Sequence, residues 1–484
     1  MPLYALIDCN NFFVSCERAF NPKLQKKPVA VLSSNDGCIV ARSSEVKALG
    51  IKMGTPVFEI SHILRQHNVQ LLSSNYSLYA DMSSRVMETI KKFSPEIEIY
   101  SVDEAFIRID HTSFKNPKQL GKQLHETLLS WLGIPVSIGI APSKTLAKMA
   151  CELAKSNPEY ESVCVLTISE HGRDSTAEEI IDGLLKQFPT REIWGVGRQY
   201  AKRFAQNGLY TAYDIKTASS EWLRKTLGIS GLRLKYELSG ISILPLNTKP
   251  KPPQSIMHSR TFARPINNIT DLRQSIATFT SRVCETLRSK HTRAQTIHIR
   301  IETSRHNSHE YHAQQAHVTF PAPTDDTATF LYAARHTLDR LWEVKTPYKR
   351  AAVTLTDIST NESIQSSLFE KIDPWFSQKT KPSLGTSWMS FGKYLDQSKL
   401  LQEESNKVNS ITVSETFAPE VVSDKEIVHK KAALHKKIDA INAVMGKDTL
   451  RFASTGKPKP VWQSKSEQCS PRYTTHWDEL LTVS

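Results

Sequence analysis

The 484-residue chain lacks any apolar run long enough to span a bilayer, which argues against a helical membrane protein. Its first residues, Met1 to Leu6, lack the basic region, long apolar stretch and small-residue cleavage site of a secretory leader, so a cytoplasmic protein is expected. Paired cysteines are also missing. Seven are scattered between Cys9 and Cys469, an odd number with no CxxC pair, which argues against both a disulfide framework and a zinc site. Nor is there a basic tail: the net charge of +13, from 62 Lys and Arg against 49 Asp and Glu, is spread along the whole chain. Such an excess suggests an anionic partner, most commonly nucleic acid, gripped by several folded parts together.

The length suits three or four domains. Residues 1–165 alternate strand and helix patterns, with apolar strand runs at Leu3 to Ile7, Val29 to Leu32 and Val136 to Ile140 and a period-two segment around Ile97 to Ser101, and read as one α/β domain. Residues 166–248 read as short helices separated by glycines. The KPKPP stretch, Lys249 to Pro253, cannot continue a helix and marks a linker at 249–257. From 258 to 360 the order strand, helix, two strands, helix, strand predicts a split βαβ sandwich. Residues 361–423 are polar, Ser-rich and expected to be flexible. Within 424–484, Ile427, Leu434, Ile438, Ile441 and Met445 have helical spacing, so Asp424 to Met445 is predicted to be an amphipathic helix that docks on its own domain or binds a partner.

Asp8 ends the first apolar strand, and Asp103-Glu104 lie at the turn before Phe106 to Ile109, so antiparallel pairing would gather three carboxylates at one sheet edge. Close carboxylates repel unless cations neutralise them. Magnesium prefers hard oxygen ligands together with substrate phosphates, and a pair of ions can stabilise both oxygens of an in-line phosphoryl displacement. Each acidic residue alone would be an ordinary turn or cap residue; the constellation carries the chemistry. The helix Ser143 to Lys155 opens with a Ser cap and sets Lys144, Lys148 and Lys155 four and seven residues apart on one face.

Tyr4 to Glu17 (YALIDCNNFFVSCE), Ser34 to Pro56 (SNDGCIVARSSEVKALGIKMGTP), Ser74 to Met87 (SNYSLYADMSSRVM) and Ser94 to Phe106 (SPEIEIYSVDEAF) resemble, in this order, the palm and fingers of Y-family translesion DNA polymerases. Ser470 to Leu481 (SPRYTTHWDELL) resembles the C-terminal region of one branch of that family. The resemblance implies an α/β multidomain right-hand polymerase: an α/β palm with small fingers inserted at about 18–77, a helical thumb with a helix-hairpin-helix, and a split βαβ little finger. It implies error-prone synthesis past damaged DNA, with primer-template DNA and deoxynucleoside triphosphates as substrates.

On this resemblance Asp8, Asp103 and Glu104 hold two Mg2+ ions, with the Cys9 carbonyl a further ligand. Phe13, five residues after Asp8, is the aromatic that blocks a ribose 2′-hydroxyl, while Phe12 fills the core. Many relatives carry Tyr and Arg for triphosphate contact where this chain has Ser44 and Lys47, which leaves Arg42 or Lys47 as the fingers cation; Lys148 and Lys155 match triphosphate-binding positions. Gly195 and Gly197 in Trp194 to Gly197 resemble the helix-hairpin-helix turn, whose amides meet a DNA phosphate. Arg260, Arg264, Arg300 and Arg305 are candidate DNA-backbone contacts of the little finger. Gln365, Leu368 and Phe369 form a QxxLF sliding-clamp tether, and a processed UmuD-like dimer and a RecA filament are implied partners in an SOS-type damage response. A palm-type nucleotide cyclase would share the carboxylates but need neither the helix-hairpin-helix nor a clamp tether. A noncatalytic clamp-bound scaffold would not need the carboxylates.

Overall fold

Every residue of β1 (Leu3–Cys9) is buried, as expected of a strand paired on both edges and covered on both faces. The computed structural model describes residues 2–109, 116–166, 175–249, 252–305, 311–360, 412–416, 425–456, 462 and 465–480. The chain divides into two compact units, Met1–Lys251 with Ser466–Ser484, and Pro252–Lys465.

In the first unit β1 is the centre of a five-stranded sheet. After β2 (Val29–Leu32), β3 (Ile39–Arg42) and β4 (Gln70–Ser73) come β5 (Ile97–Ile99), β6 (Glu104–Ile109), β7 (Val136–Ala141) and β8 (Val163–Val165); the central order is β5-β6-β1-β7-β8. Strands β3-β2-β4 make a separate small sheet. The accompanying helices are α1 (Phe12–Phe20), α2 (Ser44–Ala48), α3 (Ser61–Gln66), α4 (Tyr76–Lys91), α5 (Pro117–Leu132) and α6 (Lys144–Ser156). Alternation along β1 splits the core. Leu3, Ala5, Ile7 and Cys9 join apolar residues of α1, α4 and α5, whereas Tyr4 and Leu6 join Phe106 and α6.

Ser143 caps α6 as predicted, its Oγ accepting from the Leu146 amide at 3.3 Å. Gly139 lets that helix lie against β7: a Cβ there would come 2.1 Å from the Ala147 carbonyl oxygen. Five further helices follow: α7 (Ser175–Gln187), α8 (Arg198–Gln206), α9 (Ala212–Thr217), α10 (Ser220–Leu227) and α11 (Ile229–Leu238). Buried Glu237 of α11 accepts from the Thr145, Ile243 and Leu244 amides, joining the helical part to the start of α6.

The second unit follows the predicted order: β9 (Ile256–Ile266), α12 (Ile269–Ser289), β10 (Thr292–Glu302), β11 (Ala313–Thr324), α13 (Thr327–Leu341) and β12 (Tyr348–Thr360). One strand falls inside the stretch expected to be flexible: β13 (Thr412–Thr416) pairs in parallel with β11 and completes the sheet β13-β11-β10-β12-β9. Helix α14 (Lys425–Met445) forms as predicted and docks on its own unit, with Ile438 and Ile441 of the stripe half-buried. Arg288 grips Asp439 at 2.7 and 2.9 Å and His435 is buried, while Leu434 and Met445 stay exposed.

Candidate active site

Period-two alternation puts Asp8 on the face of β1 that carries Tyr4 and Leu6, under α6. The antiparallel register sets Asp8 opposite Glu104, and the Cys9 amide donates to the Asp103 carbonyl at 2.9 Å. Strand pairing thus brings all three predicted acidic residues to one sheet edge. Lys148 and Lys155, seven residues apart and so on one face of α6, approach them from above. Lys155 Nζ lies 2.7 Å from Asp8 Oδ2 and Lys148 Nζ 3.0 Å from Glu104 Oε2. Lys144, predicted on the same face, is instead buried and paired with Glu98 and the Pro245 carbonyl.

The Asp103 carboxylate turns to the Ser101 hydroxyl, which donates to it. Among the described residues no group of three or more His, Cys, Asp or Glu side chains is drawn together closely enough to hold a metal ion. Burial first, and then the hydrogen-bonded carboxyl of Glu104, push Asp8 up to about 7 against the pull of Lys155. Burial opposes the Lys155 charge too, but Asp8 holds that ammonium above the usual lysine range. Carboxylate oxygens fit a hard divalent ion, so Asp8 and Glu104 could hold one in place of the two ammoniums. The buried Cys9 thiol is pushed far above its usual range, chiefly by desolvation, so only its backbone carbonyl suits such an ion.

A cationic group borders the carboxylates. Partial burial, with Arg42 and Lys155 nearby, holds Lys47 below the ordinary lysine range. Arg42 is anchored by its Nε, which donates to the Ile51 carbonyl at 2.8 Å. Lys148 also sits over Tyr100, 4.7 Å from its ring centroid, and Trp194 Nε1 donates to the Tyr100 hydroxyl at 3.0 Å. Phe12 is buried, as predicted. Phe13 is half-buried and stacks on Tyr79, centroids 4.3 Å apart and planes 13° from parallel, with the edge of Tyr76 at 6.0 Å. The sequence reading missed Tyr76 and Tyr79; their three-residue spacing at the start of α4 was the available signal.

Gly195 and Gly197 are exposed in the turn before α8, with open space where a Cβ would lie, and Gly195 has φ +86°. In the second unit the helices cover the face of β10 carrying Ile297, Ile299 and Ile301. The other face carries a cleft of about 470 Å³ lined by His298, Arg300, Glu302, Arg305 and Arg350 among others. Buried Glu302 accepts from Arg300, Arg350 and the Tyr311 hydroxyl. Arg305 lies over the Tyr311 ring and donates to its oxygen. Arg260 lies on β9 opposite Ala351, and Arg264 is exposed on the same strand. Gln365, Leu368 and Phe369 lie outside the described residues.

Comparison with known proteins bears on this arrangement. The pattern of the impB/mucB/samB family matches residues 7–152, that of the impB/mucB/samB family C-terminal domain residues 253–368, and that of a domain of unknown function, DUF4113, residues 432–483. UmuC of Salmonella typhimurium (strain LT2) is 33% identical over 99% of this chain and 100% of its own length. The chain belongs to the impB/mucB/samB family. This impB/mucB/samB member is also 28% identical to DNA polymerase IV 1 of Halalkalibacterium halodurans, over 61% of the chain and 66% of that protein. A Y-family DNA polymerase chimera of Dbh and Dpo4 matches it with a TM-score of 0.59 at 22% identity, over 74% of this chain and 100% of that one. The fold is that of the Y-family polymerases.

Proposed function

We propose that this chain, a DNA polymerase by family membership and fold, carries out error-prone synthesis past damaged template bases, transferring a nucleotide from a deoxynucleoside triphosphate to a primer 3′-hydroxyl. The observation that carries the reading is the register that sets Asp8 opposite Glu104, beside Asp103, with two α6 lysines turned toward the same edge. Asp8, Asp103, Glu104 and the Cys9 carbonyl would hold two magnesium ions, which when bound would neutralise charge on the transferring phosphoryl group. Lys148, Lys155, Arg42 and Lys47 bind and orient the triphosphate. An incoming anion competes with Asp8 and Glu104 for the two α6 ammoniums, so triphosphate binding frees both carboxylates. Phe13 excludes a 2′-hydroxyl. The Gly195 and Gly197 amides and Arg260, Arg264, Arg300 and Arg305 hold the DNA backbone, which makes binding salt-dependent.

The same reading makes the protein cytoplasmic, tethered to a sliding clamp through Gln365, Leu368 and Phe369, and working with a processed UmuD-like dimer and a RecA filament during an SOS-type response. Primer extension by the purified chain on damaged and undamaged templates, with Mg2+ and with or without those two partners, tests it. Extension past a lesion supports the reading; no extension under any of these conditions refutes it.

A further inference from the structure

Residues 466–473 return to the first unit after the second has been completed, and they join the two helices that carry the Phe13 stack. At the fingers sheet, the Ser73 amide donates to the Gln468 carbonyl at 2.9 Å and the Gln468 amide to Ser73 Oγ at 3.0 Å, adding a short parallel pairing beside β4. At the start of α4, Asn75 accepts from the Leu78 amide as helix cap and donates from the same side chain to Ser470 Oγ at 3.0 Å and the Pro471 carbonyl at 3.2 Å. At the end of α1, Tyr473 is buried and stacks on Phe20, centroids 5.1 Å apart and planes within 6°.

One buried node joins all three elements. Glu17 of α1 is 1% exposed and accepts from the Tyr79 hydroxyl of α4 at 2.7 Å and from Ser470 Oγ at 3.1 Å. Burial pushes Glu17 above the usual carboxyl range, and these two donors counter the rise. A buried carboxyl without adequate donors is costly, so losing Ser470 Oγ loosens the hold on Tyr79. Tyr79 is the ring on which Phe13 lies.

We infer that residues 466–473 are a positioning strap for the sugar gate: by fixing Glu17 and the facing ends of α1 and α4, they hold Tyr79 under Phe13 and so set discrimination against ribonucleotides. The inference rests on the reading of Phe13 as the gate. Ser470 and Tyr473 touch no substrate in it; they act through Glu17, Tyr79 and Phe20.

The test is insertion of matched ribo- and deoxynucleotides by the full chain, with kcat and KM separated, for the parent, Ser470→Ala, Ser470→Thr, Tyr473→Leu and Phe13→Ala. Ser470→Ala should lower the ribose discrimination ratio about fivefold, the scale of one net hydrogen bond. Ser470→Thr, which keeps the hydroxyl, should restore it. Adding Ser470→Ala to Phe13→Ala should change the ratio no further. Parental ratios in active Ser470→Ala and Tyr473→Leu, or an equal fall in the Phe13→Ala background, would overturn the strap while leaving the gate. An unchanged ratio in Phe13→Ala would remove the gate and the strap's role with it. Hydrogen exchange over residues 73–79 reads the strap even if no extension is seen: faster exchange in Tyr473→Leu supports it, and parental exchange refutes it.

Discussion

Gly139→Ala should damage the active site without touching any charged group. A Cβ at residue 139 would lie 2.1 Å from the Ala147 carbonyl oxygen and 2.2 Å from the Cys151 amide nitrogen, whereas ordinary contacts begin near 3.4 Å. The shortfall is about 1.3 Å, and main-chain atoms of a helix cannot rotate away, so α6 must move as a body. Overpacking of this kind costs about 1–3 kcal/mol, and the upper end applies because both neighbours are backbone. At about 2–4 °C per kcal/mol this lowers the melting temperature by up to about 10 °C. Because α6 carries Lys148 and Lys155, the shift also withdraws both ammoniums from Glu104 and Asp8. A misplacement of about 1 Å can cost about 100-fold in rate, so primer extension should fall by roughly that factor even at temperatures where the variant is folded. Gly183→Ala is the control: it lies in α7 with open space around its Cβ, and should be neutral or slightly stabilising. Thermal melting and single-nucleotide insertion rates check both variants. A Gly139→Ala protein with parental melting and parental kcat would refute the argument that close packing of β7 on α6 sets the lysine positions.

Asp103→Ala should abolish magnesium-dependent extension while a gel-shift assay finds primer-template binding like the parent's, since the proposed DNA grip lies mainly elsewhere; measurable extension by a clean preparation would sink the two-metal assignment. Leu368→Ala with Phe369→Ala should remove clamp stimulation and spare distributive synthesis, and equal stimulation of variant and parent would show the QxxLF motif to be incidental. Burial, helped by Arg260, Arg282 and Lys447, lowers His258 to about 4. A depressed folded value means stability present above about pH 6.5 and lost as pH falls toward 4, by about 2 kcal/mol after allowing for partial exposure. His258→Gln should flatten that acid limb in chemical denaturation of the full chain, and an unchanged pH slope would count against it.

The sequence was most informative where local pattern and three-dimensional neighbourhood coincide. Apolar runs identified β1 and β7 to within a few residues, Ser143 marked the start of α6, and the strand-helix order from β9 to β12 was legible. The carboxylate edge followed because Asp8 and Glu104 terminate strands that pair directly. What escaped were contacts made across long stretches of chain. Asn75 and Ser470 are separated by 395 positions, and neither the parallel pairing at Ser73 nor β13 carries a turn signal that could announce it. Glu17 reads as an ordinary helix-surface residue until Tyr79 and Ser470 are seen to enclose it. Helix α14 was legible from its periodicity, but not that Asp439 and His435 would be among the residues that hold it to its own unit.

Tyr473 belongs to the core around β1, and this has a consequence for how the chain is made. A domain encoded first usually completes its folding as it clears the ribosome. Here residues 252–465 are translated between the body of the first unit and the segment that finishes it. The palm must therefore wait, with the place of Tyr473 unfilled beside Phe20, while the whole second unit is synthesised and folds. A ribosome that stalls or a transcript cut anywhere within those residues releases a first unit without the segment that packs beside Phe20. Full-length translation is thus a precondition for a first unit in which Tyr473 covers Phe20.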